Sequence, residues 1–168
     1  MQVRYSADRE RYQRMTTAEL RENFLIEGLF TPGAIELLYC EVERAVVGSA
    51  VPTGTPLKLA AGREMAAEYF CQRREVGVLN IGGPGRVTVD GRKFEMARLD
   101  CLYIGRGAKE VGFESEAAGS PARFYLLSYP AHTDFPTTLA TAKDAAAVHL
   151  GSREEANERT IRKYIHPG

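Results

Sequence analysis

Net charge is missing from this chain: 22 lysines and arginines stand against 22 aspartates and glutamates among 168 residues. With no basic excess, nothing draws a phosphate backbone or an acidic membrane surface, and nucleic acid is not expected as a partner. A local cluster of Arg or Lys needs no net charge, so small anionic substrates stay open. An apolar run long enough to span a bilayer is also missing. The opening Met1-Gln2-Val3-Arg4-Tyr5-Ser6 leads into polar sequence without the apolar segment of a secretory signal. No membrane partner is expected, and the chain reads as cytoplasmic. Cysteine is scarce, with Cys40, Cys71 and Cys101 far apart. An odd count without Cys-x-x-Cys spacing argues against a disulfide framework or a zinc knuckle, and the apolar surroundings read as buried thiols in a reducing compartment. The three histidines, His132, His149 and His166, form no His-x-His or His-x-x-x-His pair. Each reads as a loop or surface residue before it reads as a ligand.

What is present suits one domain with a real core, since 44 % of the residues are hydrophobic. Near the start, Thr16 followed three residues later by Glu19 predicts a capped helix ending around Phe24. Apolar runs at Phe24–Phe30, Ile35–Cys40 and Ala45–Val51 are separated by turn chemistry at Thr31-Pro32-Gly33 and Pro52–Pro56. The middle is clearer. Val76-Gly77-Val78-Leu79-Asn80-Ile81 reads as a buried strand and Gly82-Gly83-Pro84-Gly85 as its turn. Arg86-Val87-Thr88-Val89 and Arg92-Lys93-Phe94-Glu95-Met96 alternate on either side of Asp90-Gly91, a strong hairpin pattern. Further strands are expected at Cys101–Ile104, Glu110–Phe113 and Ala122–Tyr129. Ser152-Arg153-Glu154-Glu155 is expected to cap a short helix, and Thr160–Ile165 to form a strand. Many short strands with Gly-rich turns predict a mainly β jelly roll or barrel with short helices near the termini. Neither glycine-rich stretch, Gly82–Gly85 nor Gly105–Lys109, opens a helix, so phosphate-loop chemistry has no support.

Glu75, six residues, then Gly82 resembles the end of the first cupin motif, and Leu99–Lys109 resembles the second. More specifically, Gln72–Gly83, Tyr103–Val111 and Pro121–Tyr125 resemble the family of 5-keto-4-deoxyuronate isomerases. So do Pro130-Ala131-His132-Thr133, Arg159–Tyr164 and Arg21–Leu25. The resemblance implies a cupin-type double-stranded β-helix: an arm and short helix over 1–25, the barrel over 26–150, and a terminal segment over 151–168. It also implies a longer bicupin parent, of which this would be the amino-terminal half. Zinc would be held by three histidines and a glutamate in the second barrel. The implied activity is ketol-isomerisation of 5-dehydro-4-deoxy-D-glucuronate in pectin and uronate breakdown, in a homo-oligomer.

Within this barrel no metal site is expected, because the motif's histidine positions fall on Tyr69 and Cys71, or on Glu68 and Phe70. The histidine of the second motif falls on Lys109, whose ammonium repels a cation. The candidate residues for a uronate carboxylate are Arg73, Arg74 and Lys109, with His132 added because it lies in a family stretch. The plainer expectation for Arg73, Arg74, Glu75, Glu68 and Lys109 is an ion-pair network at the barrel mouth. Tyr103 and Tyr125 are candidates to face the interior. The competing readings are a non-catalytic uronate-binding cupin and a structural oligomerisation cupin.

Overall fold

The computed structural model describes residues 1–165; His166, among the sequence candidates, lies outside them. The chain opens with strand β1 (Gln2–Arg4), one helical turn α1 (Arg9–Tyr12) and helix α2 (Thr17–Phe24). The capping box at Thr16 is formed: Glu19 N donates to Thr16 Oγ1 at 3.3 Å and Thr16 N donates to Glu19 Oε2 at 2.7 Å. Then follow β2 (Ile35–Cys40), β3 (Ala45–Ala50), β4 (Leu57–Lys58), β5 (Arg74–Asn80), β6 (Gly85–Val89) and β7 (Arg92–Met96). The chain continues through β8 (Cys101–Ile104), β9 (Val111–Ser115), β10 (Phe124–Pro130), β11 (Thr138–Ala140), β12 (Ala146–Leu150) and β13 (Arg159–Lys163).

Two sheets enclose the core. The larger runs β1-β2-β3-β10-β5-β8-β11 and the smaller β4-β9-β6-β7, with β12 and β13 paired as a separate hairpin. This is the jelly roll that the strand pattern predicts, of the cupin type that the family resemblance implies. Burial alternates along β5, β6 and most of β10. Val76 and Val78 of β5, Leu102 and Ile104 of β8, and Phe124 and Leu126 of β10 point inward from the large sheet. They meet Val87, Phe94, Met96 and Phe113 of the small one. The rings of Phe113 and Phe124 lie 5.4 Å apart and join the two layers. The barrel interior is therefore packed with side chains, leaving little room for a ligand.

The Asp90-Gly91 hairpin forms as the sequence predicts. Val89 pairs with Arg92 across a two-residue loop whose members both have positive φ, 47° at Asp90 and 82° at Gly91. Asp90 does a second job there, its carboxylate accepting from Lys109 N at 3.0 Å and Glu110 N at 2.8 Å. On the solvent side of the small sheet, Arg86 bridges Glu95 at 2.6 Å and Glu114 at 3.4 Å across three strands.

Two expectations are corrected. Ser152 does accept a bond from Glu155 N, at 3.4 Å, but the turn does not propagate into a helix. Leu150 and Arg159 pair directly, so the eight residues between them must reverse the chain, and Ala156 adopts φ 51° to let them. Tyr103 and Tyr125 face the outer surface of the large sheet, because Leu102, Ile104, Phe124 and Leu126 occupy the inward positions. Among the described residues no helix is long and apolar enough to cross a membrane.

Candidate functional site

One end of the jelly roll gathers the loops that carry the sequence candidates. Gly107 N donates to Cys71 O at 2.8 Å, joining the segment before β5 to the β8–β9 connection. Ala131 N donates to Arg73 O at 3.1 Å, which brings in the segment after β10. Arg106 reinforces that join through Asp134 at 2.5 Å and the carbonyl of Ala131 at 3.2 Å, and it holds the Asp134 carboxyl below the usual range. Arg73, Arg74, Lys109 and His132 therefore sit on neighbouring segments. Their side chains have different fates. Arg73, Lys109 and His132 are exposed. The Arg73 guanidinium reaches the carbonyl of Ala66.

Arg74 turns inward. It is 6 % exposed, and Nε donates to Ser128 Oγ at 3.1 Å while Nη2 donates to Ser128 O at 2.9 Å and Arg44 O at 2.6 Å. The guanidinium also lies 6.0 Å from the centre of the Tyr39 ring. Burial pulls its pKa down, yet every acceptor it uses is neutral. Glu75, the next residue, points to the opposite face. Strand alternation thus separates the adjacent charges, and among the described residues none of Arg73, Arg74, Glu75, Glu68 or Lys109 joins an ion pair. In place of the expected ion-pair network, Arg73, Arg74 and Glu75 make hydrogen bonds to backbone and hydroxyl groups.

The outer face of the large sheet holds a cavity of about 600 Å³, lined among others by Glu75, Cys101, Tyr103, Phe135, Thr138 and Tyr164. Gly77 stands directly opposite Tyr103 in the β5–β8 pair, and the Ile165 side chain packs over its bare backbone, where a Cβ would lie 3.3 Å from Ile165 Cδ1. Glu75, the diagonal neighbour of Tyr103, accepts from the Tyr103 hydroxyl at 2.8 Å. Burial, that hydrogen bond and the Glu75 charge together raise the Tyr103 phenol above its ordinary range, so it serves as a donor. Sequence reasoning singled out Glu75 and Tyr103 separately. Their pairing depends on which face of β5 each side chain takes, and the sequence does not display that.

Zinc, implied by the resemblance, finds no fitting donor set here. Among the described residues no three His, Cys, Asp or Glu side chains group around a common point. At the cupin motif positions stand Tyr69 and Cys71, or Glu68 and Phe70 in the longer register, with Lys109 in the second motif. The Cys71 thiol is pushed up to about 12 by burial, far from the thiolate a metal requires.

The cysteines yield a pH prediction. Cys71 and Cys101 are buried and free, with thiols raised by burial to about 12 and about 11; Cys40 is half-buried and raised less. At pH 8, iodoacetamide should label Cys40 first, and Cys71 and Cys101 only after unfolding, as read by mass spectrometry. In the unfolded chain these thiols ionise near 9.0, so folding keeps protons the unfolded state has lost. The stability they contribute is complete below pH 9 and falls as pH rises towards 11. Tm should therefore drop between pH 8 and pH 10, and a flat profile would contradict the burial of these thiols.

The sequence profile of the KduI/IolB family matches residues 28–168. A protein of Caldicellulosiruptor bescii named 4-deoxy-L-threo-5-hexosulose-uronate ketol-isomerase is 47 % identical over 167 residues, 99 % of this chain and 60 % of its own length. A protein of the same name from Lachnoclostridium phytofermentans is 48 % identical over 168 residues, 100 % of this chain and 61 % of its own. The chain thus spans about 60 % of the length of the relatives it matches. Among solved structures, an IolB-like protein of Salmonella typhimurium superposes with a TM-score of 0.57 at 14 % identity, over 72 % of this chain and 44 % of that one, a likeness of fold alone. Given the profile match and the identities that run the length of the chain, the protein belongs to the KduI/IolB family.

Proposed function

We propose that this chain is the jelly-roll portion of a sugar-acid ketol-isomerase acting on a 5-keto-4-deoxyuronate, in pectin and uronate breakdown. The observation that carries the reading is the 48 % identity, across the entire chain, to a relative bearing the ketol-isomerase name. Isomerisation of a hydroxy-ketone through an enediol needs a polarised carbonyl and a group that moves a proton between adjacent carbons. The described residues offer no metal-donor set for the first task. Any zinc used in such a reaction would be held by donors outside them. This portion holds loops in place and presents cationic groups to an anionic substrate.

Arg73, Lys109 and His132 are the exposed candidates for the uronate carboxylate, on segments that hydrogen-bond to one another. Arg74 supports them from inside the barrel rather than by touching substrate. Assembly into a homo-oligomer is part of the same proposal. The exposed Phe24, Leu25, Val148 and Ile161, on the amino-terminal helix and the β12–β13 hairpin, are apolar groups that an assembly can cover. The test exchanges the matching segment of the L. phytofermentans relative for these 168 residues. The chimera is expected to isomerise the 5-keto-4-deoxyuronate with zinc present, and Arg73→Ala and Lys109→Ala are expected to raise KM. A folded chimera without turnover would overturn the reading.

A further inference from the structure

The outer-face cavity is a strange place for a uronate. Among its described lining residues the one that carries charge is Glu75, and a substrate carboxylate would meet it with like charge. Among the described residues Glu75 has no cationic partner, and its single side-chain hydrogen bond, from Tyr103 at 2.8 Å, uses one oxygen. Among the described residues the other oxygen has no donor. Apart from Thr138, the rest of the lining is aromatic or apolar: Tyr103, Phe135 and Tyr164 supply rings, and Cys101, Ala140 and Ile165 supply carbon and sulfur. A carboxylate among aromatic faces favours a soft, weakly hydrated cation over an anion or a strongly hydrated metal ion.

We propose that this cavity binds a small organic cation, an alkylammonium or quaternary ammonium ion, with its charge against Glu75 and its carbon body against Tyr103, Phe135 and Tyr164. The volume, about 600 Å³, admits a small molecule with room to spare. Binding here is independent of the isomerase reading, because the uronate candidates lie on the loops at the end of the barrel. Each of the two can fail alone.

The probe is choline, titrated calorimetrically into the 168-residue protein, beside 3,3-dimethylbutan-1-ol, which has the same shape without the charge. Saturable choline binding is expected, with the neutral alcohol binding at least tenfold more weakly. Glu75→Gln keeps an acceptor for Tyr103 and is expected to weaken choline at least tenfold. Phe135→Ala, at a side chain 59 % exposed and therefore safe for folding, is expected to weaken it roughly 3- to 30-fold. Absence of saturable binding, equal binding of the neutral alcohol, or unchanged affinity in Phe135→Ala would each overturn the proposal.

Discussion

Replacing Arg74 by methionine is expected to lower stability by about 2–4 kcal/mol, a Tm loss of roughly 5–15 °C for a domain of this size. The side chain fills its space nearly isosterically, so the loss comes from hydrogen bonds. Three of them, to Ser128 Oγ, Ser128 O and Arg44 O, fasten β10 and the β2–β3 turn to the end of β5. That turn needs fastening. Glu43 and Arg44 both sit at positive φ, 57° and 50°, a conformation that non-glycine residues enter only when something compensates. Methionine would leave the carbonyls short of a donor and release the turn. Some of the loss is offset, because a buried cation without a carboxylate partner carries an uncompensated desolvation cost. Arg74→Lys should fall between, since an ammonium cannot spread its donors as the planar guanidinium does. A Tm unchanged in Arg74→Met, measured by thermal denaturation, would mean that the guanidinium is dispensable to the fold. Arg74 would then return as a candidate for direct substrate contact.

Gly105→Ala is expected to cost about 3 kcal/mol, although it adds only a methyl group. A Cβ at this position would overlap the carbonyl oxygen of Phe135, a backbone atom that no rotamer change can move aside. The chain leaving β8 and the segment after Asp134 pass too closely for any side chain. The consequence is local as well as global, because Phe135 lines the outer-face cavity and Asp134 is the partner of Arg106. Hydrogen exchange should therefore speed up in residues 131–137 in addition to the drop in Tm. Gly119→Ala, where a Cβ would meet open space, is the control and should leave both unchanged.

Much of this architecture is legible in the sequence because its signals are local. The Thr16 box, the Asp90-Gly91 hairpin and the alternation of β6 and β7 each depend on residues close together in the chain. What escapes is set by distant partners. β1 pairs in parallel with β2, and β11 adds to the edge at β8; both are three-residue strands whose only reason to be extended is a neighbour. The face taken by each residue of β5 escapes for a different reason. Val76-Gly77-Val78-Leu79 is apolar or small throughout, so the alternation that would reveal parity is absent. On that parity depends whether Arg74 or Glu75 enters the barrel, and with it the character of the candidate site. The buried Asn80 is a similar case. Its amide donates to Gly83 O, Met96 O and Ala97 O and accepts from Gly82 N and Arg123 N, tying three turns together. In the sequence it is one polar residue inside a strand.

Under the proposed function, these 168 residues supply the scaffold and cationic loops of a ketol-isomerase, and any metal it uses is held by donors outside those described. The most direct test is an isomerase assay on the 168-residue chain alone, with the 5-keto-4-deoxyuronate as substrate and zinc added, repeated with a chelator. The account predicts no turnover in either condition. Turnover that the chelator abolishes would contradict it, placing a working metal centre among Glu68, Cys71, Lys109 and His132.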